Sequence, residues 1–155
     1  MGEVNAGWTV ARTTLSNERI SIGGSIHTGA AMELLPLIDK YARTDTGLRR
    51  ELGRLLADEQ AMHAINLRRV ARAVAGAQPG AEGSVTKLLA SAHGQRATEL
   101  SMRALGPAGV DGTESRRAFG YLIARSMTIA GGTTEIGKNV IAERLLGLPR
   151  DPLLR

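Results

Sequence analysis

Apolar residues recur every three or four positions along the chain and nowhere alternate convincingly with polar ones, a pattern that predicts helices and no strand. After a glycine-containing connector at residues 1 to 7, Trp8, Ala11, Leu15 and Ile22 mark an opening helix. It is interrupted near Ser16-Asn17, where an N-cap restarts it before Glu18 and carries it through Ile20, Ile26 and Ala30 toward Tyr41. Pro36 lies inside this second piece, and because proline removes a donor and crowds the preceding turn, a kink or break is expected there.

The turn RTDTG at 43 to 47 is rich in capping residues, and a long helix follows from about Leu48 to Ala75 on Leu48, Leu52, Leu55, Leu56, Met62, Ile65 and Val70. The loop AGAQPGAEG at 75 to 83 separates it from a helix over Ser84 to Leu105, carried by Val85, Leu88, Leu89, Ala92 and Leu100 and stopped by Gly106-Pro107. Thr113 is a candidate cap for a helix through Phe119, Leu122, Ile123 and Met127 to about Ala130. In the last stretch, Gly131-Gly132 permits a tight turn, and Thr133-Thr134 offers hydroxyls to cap a buried helix on Ile136, Val140, Ile141, Leu145 and Leu146, which Gly147 and Pro149 end. The reading is all-α: an antiparallel bundle of four to five helices with short loops. No longer period recurs, which excludes a repeat protein.

At 155 residues the chain has the size of one domain, and this changes the picture little. Cysteine is absent, which removes disulfides and thiolate metal sites. His27, His63 and His93 are scattered and read as helix-face residues, so no metal is expected. No window approaches the roughly 18 apolar residues of a membrane span, and the first residues lack a signal pattern, so a soluble cytoplasmic protein without a membrane partner is the expectation. The formal charge of +5 raises the question of nucleic acid. Its arginines alternate with Asp and Glu along helix faces, and only four aromatic residues exist for stacking, so nucleic-acid binding is not expected. A phosphate-bearing cofactor or substrate would use the same charge.

The free donors and dipole of a helix that starts after Gly131-Gly132 suit a phosphate or a carbonyl oxygen. The wording there is also specific. IAGGTTEI, followed by NVIAERLLGLPRDP, resembles the end of the C-terminal helical domain of acyl-CoA dehydrogenases. GWTVARTTLSNERISIGG resembles the segment by which that family enters its first C-terminal helices, and GAEGSVTKLLAS and ALGPAGV resemble the middle of the same domain.

The resemblance implies α,β-dehydrogenation of an acyl-CoA thioester, in which a carboxylate removes the α-proton and the β-carbon gives hydride to N5 of FAD. The commoner position of that carboxylate is held here by Gly131, which cannot take a proton. The alternative family position corresponds to Glu18 in Ser16-Asn17-Glu18-Arg19, with Arg19 as a supporting residue that helps hold the loop containing Gly131. Gly131, Gly132, Thr133 and Glu135 match cofactor-contacting positions, with Glu135 where Gln is common. Two interfacial FAD motifs of the family are replaced by ARTDTG and RALGPAGV, which argues against contacts to FAD from a neighbouring copy.

The family's N-terminal helical and central β-domains have no counterpart in these residues. The chain is therefore expected to be the C-terminal part of a longer flavoenzyme, inactive and without FAD when isolated. The resemblance further implies a homo- or hetero-oligomer, electron-transfer flavoprotein as acceptor, and bulky or unusual acyl groups of fatty acid or steroid side-chain catabolism. A non-catalytic scaffolding subunit of a heteromeric dehydrogenase is the alternative, and a generic helical interaction module comes third.

Overall fold

The computed structural model describes residues 3–25, 30–77, 80–150 and 152, without the side chains of 16 and 19–25. Among them are six α-helices and no strand: α1 (Gly7–Ser25), α2 (Leu35–Tyr41), α3 (Thr46–Val74), α4 (Glu82–Leu105), α5 (Ser115–Ile123) and α6 (Thr134–Arg144). Short 3-10 segments precede α2 (Met32–Leu34), follow α4 (Gly106–Gly109) and follow α5 (Ala124–Thr128). None of the described helices is long and apolar enough to cross a membrane.

The all-α reading holds, and the helix count rises from four or five to six because residues 7 to 41 contain two separate helices. The expected interruption at Ser16-Asn17 is corrected: α1 runs through it. The polar run just before it is satisfied within the helix, since the Thr13 and Thr14 hydroxyls donate back to the carbonyls of Thr9 and Val10. Ile26 lies outside the described residues. Pro36 produces a break, not a kink, and occupies the first turn of α2, where its missing N–H has no intrahelical role.

Local chemistry sets the start of α3, whose N-cap Asp45 accepts a hydrogen bond from the Leu48 amide at 2.9 Å. Leu48, Leu52 and Leu55 are buried as expected, whereas Val70 near the far end is 54% exposed. The alternation of arginines with acids has its explanation across the α3–α4 pair. Glu51 pairs with Arg103, Asp58 with Arg96 and Arg72 with Glu82, so seven or fourteen steps forward along α3 match the same number backward along α4. These exposed pairs fix an antiparallel register more than they stabilise it, each contributing about 0–1 kcal/mol.

At the centre, α4 packs against α1, α2, α3, α5, α6 and both neighbouring 3-10 segments. A helix enclosed on several sides does best with small residues that let its neighbours approach. Its buried positions are accordingly Gly83, Ser84, Ala90, Ser91, Gly94, Ala97, Ser101 and Ala104 around the larger Thr86, Lys87, His93, Leu100 and Leu105. The stripe read from Val85, Leu88, Leu89, Ala92 and Leu100 is therefore only partly right. Leu89 and Ala92 are exposed. His93 is fully buried and its Nε2–H donates to the Leu55 carbonyl at 3.0 Å, making it a core tie between α3 and α4. His63 is exposed, and His27 lies outside the described residues.

One face of the bundle departs from expectation. The last helix was read as buried, yet in α6 only Gly137 is buried, seated over Leu88 of α4. Ile136 and Leu146 are exposed, and so are Phe119, Leu122 and Ile123 of α5 and Ile129 before the glycine turn.

Candidate functional site

The turn between the last 3-10 segment and α6 brings Gly131, Gly132, Thr133 and Glu135 together. Gly131 and Gly132 have φ of +65° and +101°, which an L side chain adopts only with strain, so two glycines in a row are required here. The Gly132 amide donates to the Ile129 carbonyl at 3.0 Å, and the buried Gly131 lies at the apex. Thr133 is extended and caps α6: its hydroxyl oxygen accepts from the Ile136 amide at 3.3 Å, and its carbonyl accepts from Gly137 at 2.9 Å.

Glu135 stands in the first turn of α6, and its carboxyl is held below its ordinary value of 4.5. The largest cause is a hydrogen bond from its own amide, followed by one from the Thr133 hydroxyl, with the Lys138 and Lys87 ammonium charges adding to them. The carboxylate therefore occupies part of the positive end of the helix. Because its folded pKa is depressed, its stabilisation is present above the unfolded value and is lost as pH falls through the folded one. Acidification below 4.5 should thus fray the first turn of α6, seen as faster amide exchange there, and Glu135→Gln should remove that pH dependence.

Two residues of α4 that sequence reasoning missed complete the turn. Lys87, 2% exposed, donates from Nζ to the Gly132 carbonyl at 2.7 Å and to the Thr128 carbonyl at 3.2 Å. One helical turn on, the Ser91 hydroxyl reaches the carbonyls of Met127 and Lys87 at 2.9 and 2.8 Å. The only available sequence signal was the spacing of Lys87, Ala90 and Ser91 on one helix face. A single lysine in a helix ordinarily reads as solvated.

Glu18 lies on α1 with its side chain exposed, making no hydrogen bond or ion pair with the described residues. Its helix and the 128–132 turn both pack on α4, and among the described residues no hydrogen bond or ion pair joins Glu18 to that turn. The side chain of Arg19 lies outside the described residues, and so does the contact expected of it. Both segments expected to replace interfacial FAD motifs contain residues with structural duties. Asp45 caps α3, and Gly109 is buried where a Cβ would come within 2.9 Å of Met102 Cε. No group of three or more metal-ligating side chains occurs among the described residues. A cavity of about 580 Å³ between the end of α3 and the start of α4, lined by Ile65, Arg68, Arg69, Val70 and Thr86 among others, includes none of the predicted site residues.

Residues 5–146 match the family described as acyl-CoA dehydrogenase, C-terminal domain. The chain is 40% identical over 150 residues to acyl-CoA dehydrogenase FadE34 of Mycobacterium tuberculosis, covering 97% of this chain and 21% of that protein. It is 36% identical over 158 residues to acyl-CoA dehydrogenase IpdE1 of the same organism, with 97% and 40% covered. Among solved structures it superposes with a TM-score of 0.75 and 25% identity on a Tcur3481-Tcur3483 steroid ACAD variant, covering 97% of this chain and 42% of that one. The ChsE4-ChsE5 complex from Mycobacterium tuberculosis gives a TM-score of 0.74 at 25% identity, with 97% and 43% covered. The chain thus spans less than half the length of each of these relatives.

Proposed function

Because the chain belongs to the acyl-CoA dehydrogenase C-terminal domain family, we propose that it is the C-terminal part of a longer, cytoplasmic, FAD-dependent enzyme that desaturates an acyl-CoA thioester between Cα and Cβ. The observation that carries this reading is the built turn at Gly131–Thr133, held from α4 and opening into α6, in a chain that leaves large apolar side chains of α5 and α6 exposed. Phe119, Leu122, Ile129 and Ile136 are where the remaining domains of a full-length enzyme would pack.

The residues present fit part of FAD. The Glu135 carboxylate repels a pyrophosphate from the start of α6 but offers an acceptor to a ribose hydroxyl or an adenine amine. Gly131 and Gly132 let the cofactor approach the backbone, and Thr133 sets the direction of α6 beside it. Bound FAD supplies the hydride acceptor. The α-proton falls to Glu18, whose exposure in this chain means that the dry surroundings a strong carboxylate base needs come from the covering domains. Arg19 supports it from the neighbouring position on α1. The steroid enzyme among the structural relatives supports a bulky acyl group as substrate, and electron-transfer flavoprotein is the proposed acceptor.

A second reading, a non-catalytic subunit of a heteromeric dehydrogenase, is favoured by the absence of a carboxylate at Gly131, the structural use of both replaced FAD motifs, and the likeness to a chain of a two-component complex. The test uses the full-length protein. On the leading reading it retains FAD and reduces a dye in an acyl-CoA-dependent manner. Thr133→Val should then weaken FAD retention about tenfold, well beyond any fraying of the first turn of α6 that loss of the cap on the Ile136 amide causes. Equal loss of flavin and helix would make Thr133 a cap alone, and a wild-type protein that binds no flavin would favour the scaffolding reading.

A further inference from the structure

We propose that Lys87 is a positioning residue, which with Ser91 latches the backbone of 127–132 so that Gly131, Gly132 and Thr133 face the cofactor. This rests on the reading of that turn as cofactor-facing. Consecutive glycines have the greatest backbone freedom of any dipeptide, and their positive φ values are two among many accessible ones. The turn also follows a short 3-10 segment whose last carbonyls have no helical partner of their own. Lys87 and Ser91 together reach three of the carbonyls that flank the glycines, those of Met127, Thr128 and Gly132. Those from Lys87 are charge-assisted, the stronger kind of hydrogen bond.

The choice of lysine is informative. Burying an ammonium to 2% exposure is costly, and an apolar side chain of similar length would fill the same space without that cost. What the apolar side chain cannot do is grip Thr128 and Gly132 from one atom while placing a positive charge beneath the start of α6. The influence of that charge reaches Glu135, whose carboxylate it helps to keep ionised. The ligand-facing side of the turn is thus left to its glycines and Thr133, because the inner side is satisfied from α4.

Lys87→Met in the full-length protein keeps the stem and removes the donors. Amide exchange at Gly131, Gly132 and Thr133 should accelerate about tenfold while α3 and α4 stay protected, and FAD affinity should fall by a similar factor. Ser91→Ala, which removes only the hydroxyl, should do the same about threefold, and it carries the test if Lys87→Met does not accumulate. Unchanged exchange at the turn, or acceleration spread evenly through the bundle, would overturn the proposal. So would a loosened turn with normal FAD affinity in a protein where Thr133→Val does weaken FAD. If neither Lys87→Met nor Thr133→Val affects FAD although the turn loosens, the latch stands and the cofactor reading of the turn fails.

Discussion

Glu18→Gln in the full-length protein should lower turnover by about 10²- to 10⁴-fold while FAD and acyl-CoA still bind. The substitution keeps the shape and removes the basicity, so only the proton-transfer step is touched. Gly131 leaves the loop before α6 without a base, and Glu18 is the residue that the family resemblance offers in its place. On α1 it is exposed and makes no hydrogen bond with the described residues, so none of these holds it in another role. The measurement is single-turnover flavin reduction by an acyl-CoA. A variant as fast as the wild type would end the base assignment and put the scaffolding reading first.

The second large effect concerns stability. Leu100, 1% exposed, lies in the core formed with Leu34, Ile38, Leu48, Leu52 and Leu55, where α2, α3 and α4 meet. Leu100→Ala should destabilise the protein by about 2–5 kcal/mol, through lost transfer free energy and the cavity left behind. That is a large share of the roughly 5–15 kcal/mol by which a domain is stable. Leu122→Ala provides the contrast. At 68% exposure it should change the stability of the 155-residue chain by less than about 0.5 kcal/mol, and distinctly more in the full-length protein if domains cover that face. Urea titrations of both forms decide it, and equal small effects would show that Leu122 remains bare.

Helix boundaries were legible in the sequence wherever a local group decides them. Asp45 before α3, Gly106-Pro107 after α4 and Thr133 before α6 act on amides and carbonyls within four residues, and each stands where expected. Thr113 fails as a cap because Glu114 takes the N-cap position of α5, while the Thr113 amide is engaged by Asp111. The family membership was also present in the chain, since GGTTEI and its sequel are specific strings.

The sequence by itself thus determined the all-α class, the ends of α3 and α4, the start of α6, the glycine turn before it and the family, while it misplaced an interruption in α1 and both ends of α5, which stops at Ile123 and not near Ala130. Tertiary structure alone decided which faces are buried and what holds the turn. Periodicity ranks residues by polarity, and for a helix enclosed on several sides that ranking inverts: Ser91 and Lys87 go inside α4 while Leu89 stays out. The pairing of Arg96 with Asp58 and of Arg103 with Glu51 depends on an antiparallel register between residues 38 and 52 positions apart. Most decisively, Lys87 meets Gly132 across 45 residues of chain, and no local pattern announces a contact that exists only once α4 and the final turn have packed together.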